Sequence, residues 1–272
     1  LTKGTYALGR HLGVHMLPKL FSLTDKVAVV TGSTRGIGKA IAEALVSCGA
    51  KVVISSRTAS TCSDVAEAIR HGGGEAVAIP CNVSNEAELD LLVQRTMDEW
   101  QRIDILVCNA AVNPHYGPMA EASGAVFDKV MDTNVKYVAG LCHRVIPQMA
   151  ARKDGAVIIV SSIAGFRGFD KLGVYALSKA AEMQLARNLA VEWGRDNIRV
   201  NCLAPGLVRT QFSKALWQDE EALHRTVASH PLGRIGVPED ISGAAVFLAS
   251  QAGSFVTGQT IVIDGGVTIA SG

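Results

Sequence analysis

Seven short apolar runs, rich in β-branched residues, recur along the chain at 26–30, 51–55, 76–80, 103–108, 156–160, 198–203 and within 258–266. Between them lie stretches with helical spacing: one that ends at Gly49, others over 60–70 and 85–100, two that together cover 123–152, and a long one through Tyr175 to about Asp196. Continuous apolar runs suit strands buried on both faces. Their alternation with helices predicts an α/β fold: a doubly wound parallel sheet with right-handed crossovers and helices on both faces.

No repeat, low-complexity segment or linker interrupts this rhythm, so 21–272 reads as a single domain. Residues 1–20 lack any acid and carry Lys3, Arg10 and Lys19. Three glycines and the short apolar run argue against a targeting signal, leaving a disordered N-terminal extension or an upstream remnant. His11 and His15 have the helical spacing of a metal pair, but Gly13 between them and the lack of a third ligand argue against one, so no metal is expected. The formal charge of +1 gives no basic excess for nucleic acid or an anionic membrane. No apolar stretch reaches spanning length. The six cysteines are scattered without a Cys-x-x-Cys pair, which fits packed, reduced thiols in a cytoplasmic protein.

The first apolar run passes at once into Thr31-Gly-Ser-Thr-Arg-Gly-Ile-Gly38 and then into a helix. Gly32, Gly36 and Gly38 let the backbone turn sharply and approach a pyrophosphate at the helix N-terminus, as in a Rossmann-type dinucleotide site. Their spacing, Gly-x-x-x-Gly-x-Gly, differs from the commoner Gly-x-Gly-x-x-Gly. An acid closing the second strand would hold the 2′-hydroxyl of NAD. This chain has Ser55, Ser56 and Arg57 there, with Arg35 in the glycine loop. Guanidinium forks suit a 2′-phosphate, so NADP is expected and NAD is less favoured. Were Arg57 merely a solvated surface residue, this preference would lose its basis.

The fifth run ends in Ser161-Ser162, and a helix carrying Tyr175 and Lys179 follows. Four residues apart, the phenol and the ammonium share a helical face. With a hydroxyl at the carboxyl edge of a parallel sheet, they form a candidate proton-transfer device, because a nearby cation favours phenolate over phenol. Tyr-x-x-x-Lys by itself arises by chance in roughly one chain in two of this size, so the surrounding pattern has to carry the reading.

Taken together, Thr31-Gly-x-x-x-Gly-Ile-Gly38, Asn109-Ala-Ala111, Asn134, Ser162, Tyr175-x-x-x-Lys179, Pro205-Gly206 and Asp264-Gly-Gly266 resemble the short-chain dehydrogenase/reductase family, from about residue 22 to 266. The resemblance implies that Tyr175 is the general acid/base, that Ser162 rather than Ser161 orients the carbonyl oxygen, and that Lys179, together with the bound nicotinamide's positive charge, lowers the phenol and also holds the nicotinamide ribose. Asn134 would hold a water on a proton path to Lys179. Cofactor contacts are implied for Ser33, Ile37, Ser56, Asn82, Val83, Asn109, Ala110, Pro205, Gly206, Val208 and Thr210, besides the glycines and arginines above. For Asn109 and Asp264, bonding to neighbouring backbone is an equally simple role. Two positions depart from the family's usual pattern. Ala111 stands where glycine is usual, and Asn82 where an adenine-contacting Asp is common.

A weaker likeness, through Asn109-Ala-Ala-Val-Asn-Pro114 and Cys202-Leu-Ala-Pro-Gly206, is to the NADP-dependent carbonyl reductase and retinol dehydrogenase subgroup. The expected reaction is hydride transfer between nicotinamide and a small-molecule carbonyl or secondary alcohol. A 3-oxoacyl carrier-protein reductase, a sugar dehydrogenase and a steroid dehydrogenase stay open, as does a non-catalytic NADP(H) sensor or scaffold. His115, Tyr116, Phe166, Phe169, Phe212 and Trp217 are candidate pocket residues, with lid or interface packing as the alternative for each. Residues 211–235 read as a helical excursion over the site. The resemblance also implies a homo-oligomer, a tetramer with two-fold interfaces.

Overall fold

The computed structural model describes residues 16–270. The strands are β1 (Val27–Thr31), β2 (Lys51–Ser55), β3 (Ala76–Ala78), β4 (Ile105–Cys108), β5 (Gly155–Val160), β6 (Ile198–Pro205) and β7 (Thr260–Ile263). They form one parallel sheet in the order β3-β2-β1-β4-β5-β6-β7. From β1 the chain builds outward to β3, then returns to place β4 on β1's other side. The crevice at the carboxyl ends of β1 and β4 is therefore the fold's ligand-binding position.

Helices α1 (Met16–Phe21), α2 (Gly36–Ser47), α3 (Ala59–His71), α4 (Glu86–Trp100), α5 (Gly124–Met131), α6 (Tyr137–Arg152), α7 (Gly173–Trp193), α8 (Glu220–Ala228) and α9 (Glu239–Ala249) complete the described elements. Alternation along each strand feeds two cores. Val29, Leu106, Val157 and Ile159 meet α4, α6 and α7 through Leu89, Leu141, Val145 and Met183. On the other face Val30, Ile54, Val107 and Ile158 meet α2, α3 and α9 through Ile41, Leu45, Ala66 and Ala245.

Three local features differ from the sequence expectation. A helix begins at Met16, inside the stretch expected to be a disordered tail; residues 1–15, including His11 and His15, lie outside the described residues. The fourth strand starts at Ile105 rather than at 103, because the carbonyl of Ile103 is taken by Gln148 Nε2 at 2.9 Å and Arg152 Nη2 at 2.7 Å. The two helical stretches expected over 123–152 are joined by one wide π-turn, Asp132–Lys136, with Asn134 at its middle, rather than by a loop. Such turns cluster at functional sites. Among the described residues the cysteines are all free, as expected, and no helix is long and apolar enough to cross a membrane.

Candidate active site

The glycine loop is held from below by side chains. Gly32 (φ +67°) and Gly36 (φ +56°) adopt left-handed backbone that favours glycine. At Gly38 a Cβ would collide with the Asn109 amide and the Gly32 carbonyl. Asn109 Nδ2 donates to the carbonyls of Thr31 at 2.9 Å and Gly32 at 3.1 Å, and Thr31 Oγ1 accepts from the backbone N–H groups of Asn109 and Ala110. This is the backbone-bonding role weighed for Asn109 from sequence. Ser33 is also turned inward: its hydroxyl donates to Val30 O at 2.7 Å and accepts from Ser55 N at 2.9 Å. Both residues shape the loop with side chains that are already engaged.

What the loop leaves open suits a dinucleotide phosphate. No side chain caps the N-terminus of α2, where Arg35 is the extended N-cap residue, so the first helical N–H groups are available to an anion. Thr210 lies against this loop, its Cγ2 at 3.3 Å from where a Cβ on Gly36 would stand. Arg35 in the glycine loop and Arg57 just after β2 are exposed, and the buried hydroxyl of Ser55, which ends β2, has no hydrogen-bond partner. Ser56 bonds Cys62 Sγ at 3.2 Å. Asn82 Oδ1 accepts from Ser84 N at 3.2 Å, leaving its amide N–H groups for an adenine. Pro205 ends β6, Gly206 follows it, Val208 is buried nearby, and Asp264 closes the turn after β7 by accepting from Gly266 N and Thr268 N.

Across the cleft, β5 ends in the two serines. Ser161 is buried and donates to Lys179 O at 2.8 Å, whereas Ser162, the serine expected to orient the substrate, accepts from Ala164 N at 3.1 Å and lies near enough to Tyr175 to favour its phenolate. Close approach of the Ile163–Gly165 turn to α7 needs a glycine, since a Cβ on Gly165 would stand 2.9 Å from the Lys179 carbonyl carbon. Lys179 Nζ lies 5.4 Å from the Tyr175 ring centroid. Asn134 accepts from Val112 N at 2.9 Å and donates to Val112 O and Ser178 Oγ, both at 3.0 Å. Its amide donors are thus committed to holding the loop after β4 onto α7.

The expected lowering of the phenol joins the bound nicotinamide's positive charge to that of Lys179, and the protein's own groups act the other way. Burial pushes the Tyr175 hydroxyl up; the Lys179 cation opposes this, the Glu182 carboxylate adds to it, and nearby Ser162 pulls down, with a net upward result. Patterning did not single out Glu182. It is 2% exposed and binds Lys179 Nζ through both oxygens, at 2.8 and 3.0 Å. The available signal was a charged residue at i+7 from Tyr175 and i+3 from Lys179, on the face that must meet the sheet.

Of the six pocket candidates, Phe212 alone has a ring contact with Tyr175 among the described residues, at 6.1 Å between centroids and 44°. Tyr116 sits under Lys171, Phe169 under Arg167 and Trp217 under Arg209. His115 Nε2 bonds Pro118 O at 3.1 Å, and Phe166 is exposed. Trp217 Nε1 donates to Thr210 O and Ser213 Oγ, both at 3.2 Å, so it anchors the segment after β6. No His/Cys/Asp/Glu group among the described residues could hold a metal ion.

A family model described as enoyl-(acyl carrier protein) reductase matches residues 32–268. Dehydrogenase/reductase SDR family member 4 of Oryctolagus cuniculus is 44% identical over 244 residues, covering 90% of this chain and 94% of that protein. Among solved structures, a gluconate 5-dehydrogenase from Burkholderia cenocepacia in complex with NADP and tartrate aligns with a TM-score of 0.90 and 31% identity. The alignment covers 94% of this chain and 100% of the other. A 7α-hydroxysteroid dehydrogenase complexed with NADH and 7-oxo glycochenodeoxycholic acid aligns at 0.87 and 35%, over 91% and 96%.

Proposed function

Because the chain belongs to the short-chain dehydrogenase/reductase family, we propose that it moves a hydride between NADP and a carbonyl or secondary alcohol, with Tyr175 as general acid/base. The observation that carries this reading is the contact chain Ser162–Tyr175–Lys179 at the carboxyl edge of the sheet, across from the glycine loop. Bound nicotinamide supplies or accepts the hydride. During reduction the carbonyl carbon receives the hydride and its oxygen takes the Tyr175 phenol proton, while Ser162 donates to that oxygen as negative charge develops. Oxidation runs the same transfers backward. With its side-chain amide engaged, Asn134 would serve a proton path only through its main chain.

Local charge supports NADP over NAD: two free guanidiniums and an orphaned hydroxyl stand where an acid would bind a free ribose. The two neighbours above hold NADP and NADH respectively, so the choice rests on these residues. Phe212 over Tyr175 supports a substrate with an apolar face beside its reacting carbon.

A panel of ketones and aldehydes with NADPH, followed by loss of nicotinamide absorbance, tests the reading. Turnover is expected, and Tyr175→Phe should lower it by about 10²–10⁴ while leaving cofactor binding intact. Normal binding without turnover on any compound would favour an NADP(H) sensor instead. Arg57→Ala should reduce the NADP-to-NAD preference by about tenfold.

A further inference from the structure

The inward face of α7 carries a charge that hydride transfer does not require. Glu182 stands behind Lys179, both almost wholly buried, and its carboxylate grips the ammonium with two oxygens. Val160 O, at 3.1 Å, accepts from the same ammonium. The three N–H groups of Lys179 are thereby matched by acceptors behind the cleft.

The titratable groups around Glu182 are Lys179 and Tyr175 on its own helix, Cys202 on β6 and Cys108 on β4, with Ser161 just after β5 close by. Burial pushes the Cys202 thiol up to about 12, and the neighbouring Cys142 together with burial raises Cys108, so Lys179 is the cation this carboxylate meets. Arg187, farther along α7, is exposed. A carboxylate in such a place is costly, and an apolar side chain would pack there at no electrostatic penalty. Its effect is on charge: Lys179 favours ionisation of Tyr175, and a carboxylate about 3 Å from Lys179 cancels much of that influence.

We propose that Glu182 is a positioning residue that neutralises Lys179 from behind, so that Tyr175 keeps its proton and the site is set to protonate a carbonyl oxygen over a wide range of pH. The proposal rests on the assignment of Tyr175 as acid/base. Its consequence is directional in pH rather than in equilibrium. Reduction, which needs the phenol, persists to higher pH, and oxidation, which needs the phenolate, is displaced to more alkaline conditions. Burial is the largest cause of the upward shift at Tyr175, and the Glu182 carboxylate adds to it.

The test is a titration of phenolate ultraviolet absorbance in the full-length protein without substrate, for wild type, Glu182→Gln, Glu182→Met and Glu182→Asp. In each background the matching Tyr175→Phe protein is subtracted to isolate this tyrosine. Loss of the carboxylate should lower the Tyr175 midpoint by about one pH unit in the Gln and Met proteins, while Asp stays near wild type. The midpoint of alcohol oxidation against pH should fall by the same amount. An unchanged or raised midpoint in whichever of the Gln and Met proteins folds would overturn the proposal. Because the absorbance titration needs no turnover, an inactive chain would break the functional assignment without deciding this one.

Discussion

The two walls of the cleft are built on opposite principles. On the cofactor side, polar side chains are engaged: buried Thr31 and Ser33 and half-buried Asn109 tie the glycine loop to β1, β2 and β4, and two glycines adopt backbone that other residues resist. Among the candidate pocket residues, Tyr116, Phe166 and Phe212 are each more than half exposed, and the rings of Tyr116, Phe169 and Trp217 are covered by long cationic side chains. A dinucleotide presents the same phosphates every time, so its cradle can be rigid. A wall of exposed rings and flexible cations holds few positions strictly, which lets it vary with the substrate.

The contrast breaks first at Gly38. Adding one methyl in Gly38→Ala drives it into the Asn109 amide and the Gly32 carbonyl. We expect about 1–3 kcal/mol of lost stability together with weakened NADP binding, measured by urea unfolding and by nicotinamide fluorescence titration. Retained stability and affinity would show that the floor is more pliable than its hydrogen bonds imply.

A second effect comes from beneath the catalytic wall. Burial raises the Glu182 carboxyl from 4.5 to about 7, opposed by Lys179. Between those values the folded chain binds more protons than the unfolded one, so this group's contribution to stability is present below about 4.5 and is lost as pH rises through about 7. The difference in unfolding free energy between wild type and Glu182→Gln should therefore change with pH across that window and flatten above it. A difference that is flat throughout would place the Glu182 carboxyl at its ordinary value.

The smallest change belongs to the exposed wall. Phe212→Ala should leave stability within about 0.5 kcal/mol and NADP affinity unchanged, yet alter KM across a carbonyl panel. Equal KM shifts for every compound would assign Phe212 to general closure rather than to selectivity.

Legibility in the sequence followed the same division. The strand–helix rhythm, the glycine loop and the pairing of Tyr175 with Lys179 are local patterns, and periodicity exposes them directly. Ser162 could be preferred over Ser161 from its distance to Tyr175, and the structure separates the two by pointing Ser161 at Lys179 O. Less visible were the inward turns of Ser33 and Asn109, because a polar residue in a loop looks alike whether it faces a ligand or the backbone. Phe212 was one aromatic among six, and only packing brought it to Tyr175. The π-turn at Asn134 leaves no periodic trace, since one extra residue in a helix of this length barely shifts the pattern.

By itself the sequence determined a parallel α/β sheet, the place where a dinucleotide phosphate would sit and the helical face shared by Tyr175 and Lys179. These follow from steric and periodic rules that act over a few residues. The tertiary structure alone decided what surrounds that face: Ser162 in front, and the carboxylate of Glu182 behind, buried with Lys179 between the helix and the sheet. Whether a lysine activates a phenol depends on the charges and the solvent around it, and those are set only when distant strands close over the helix.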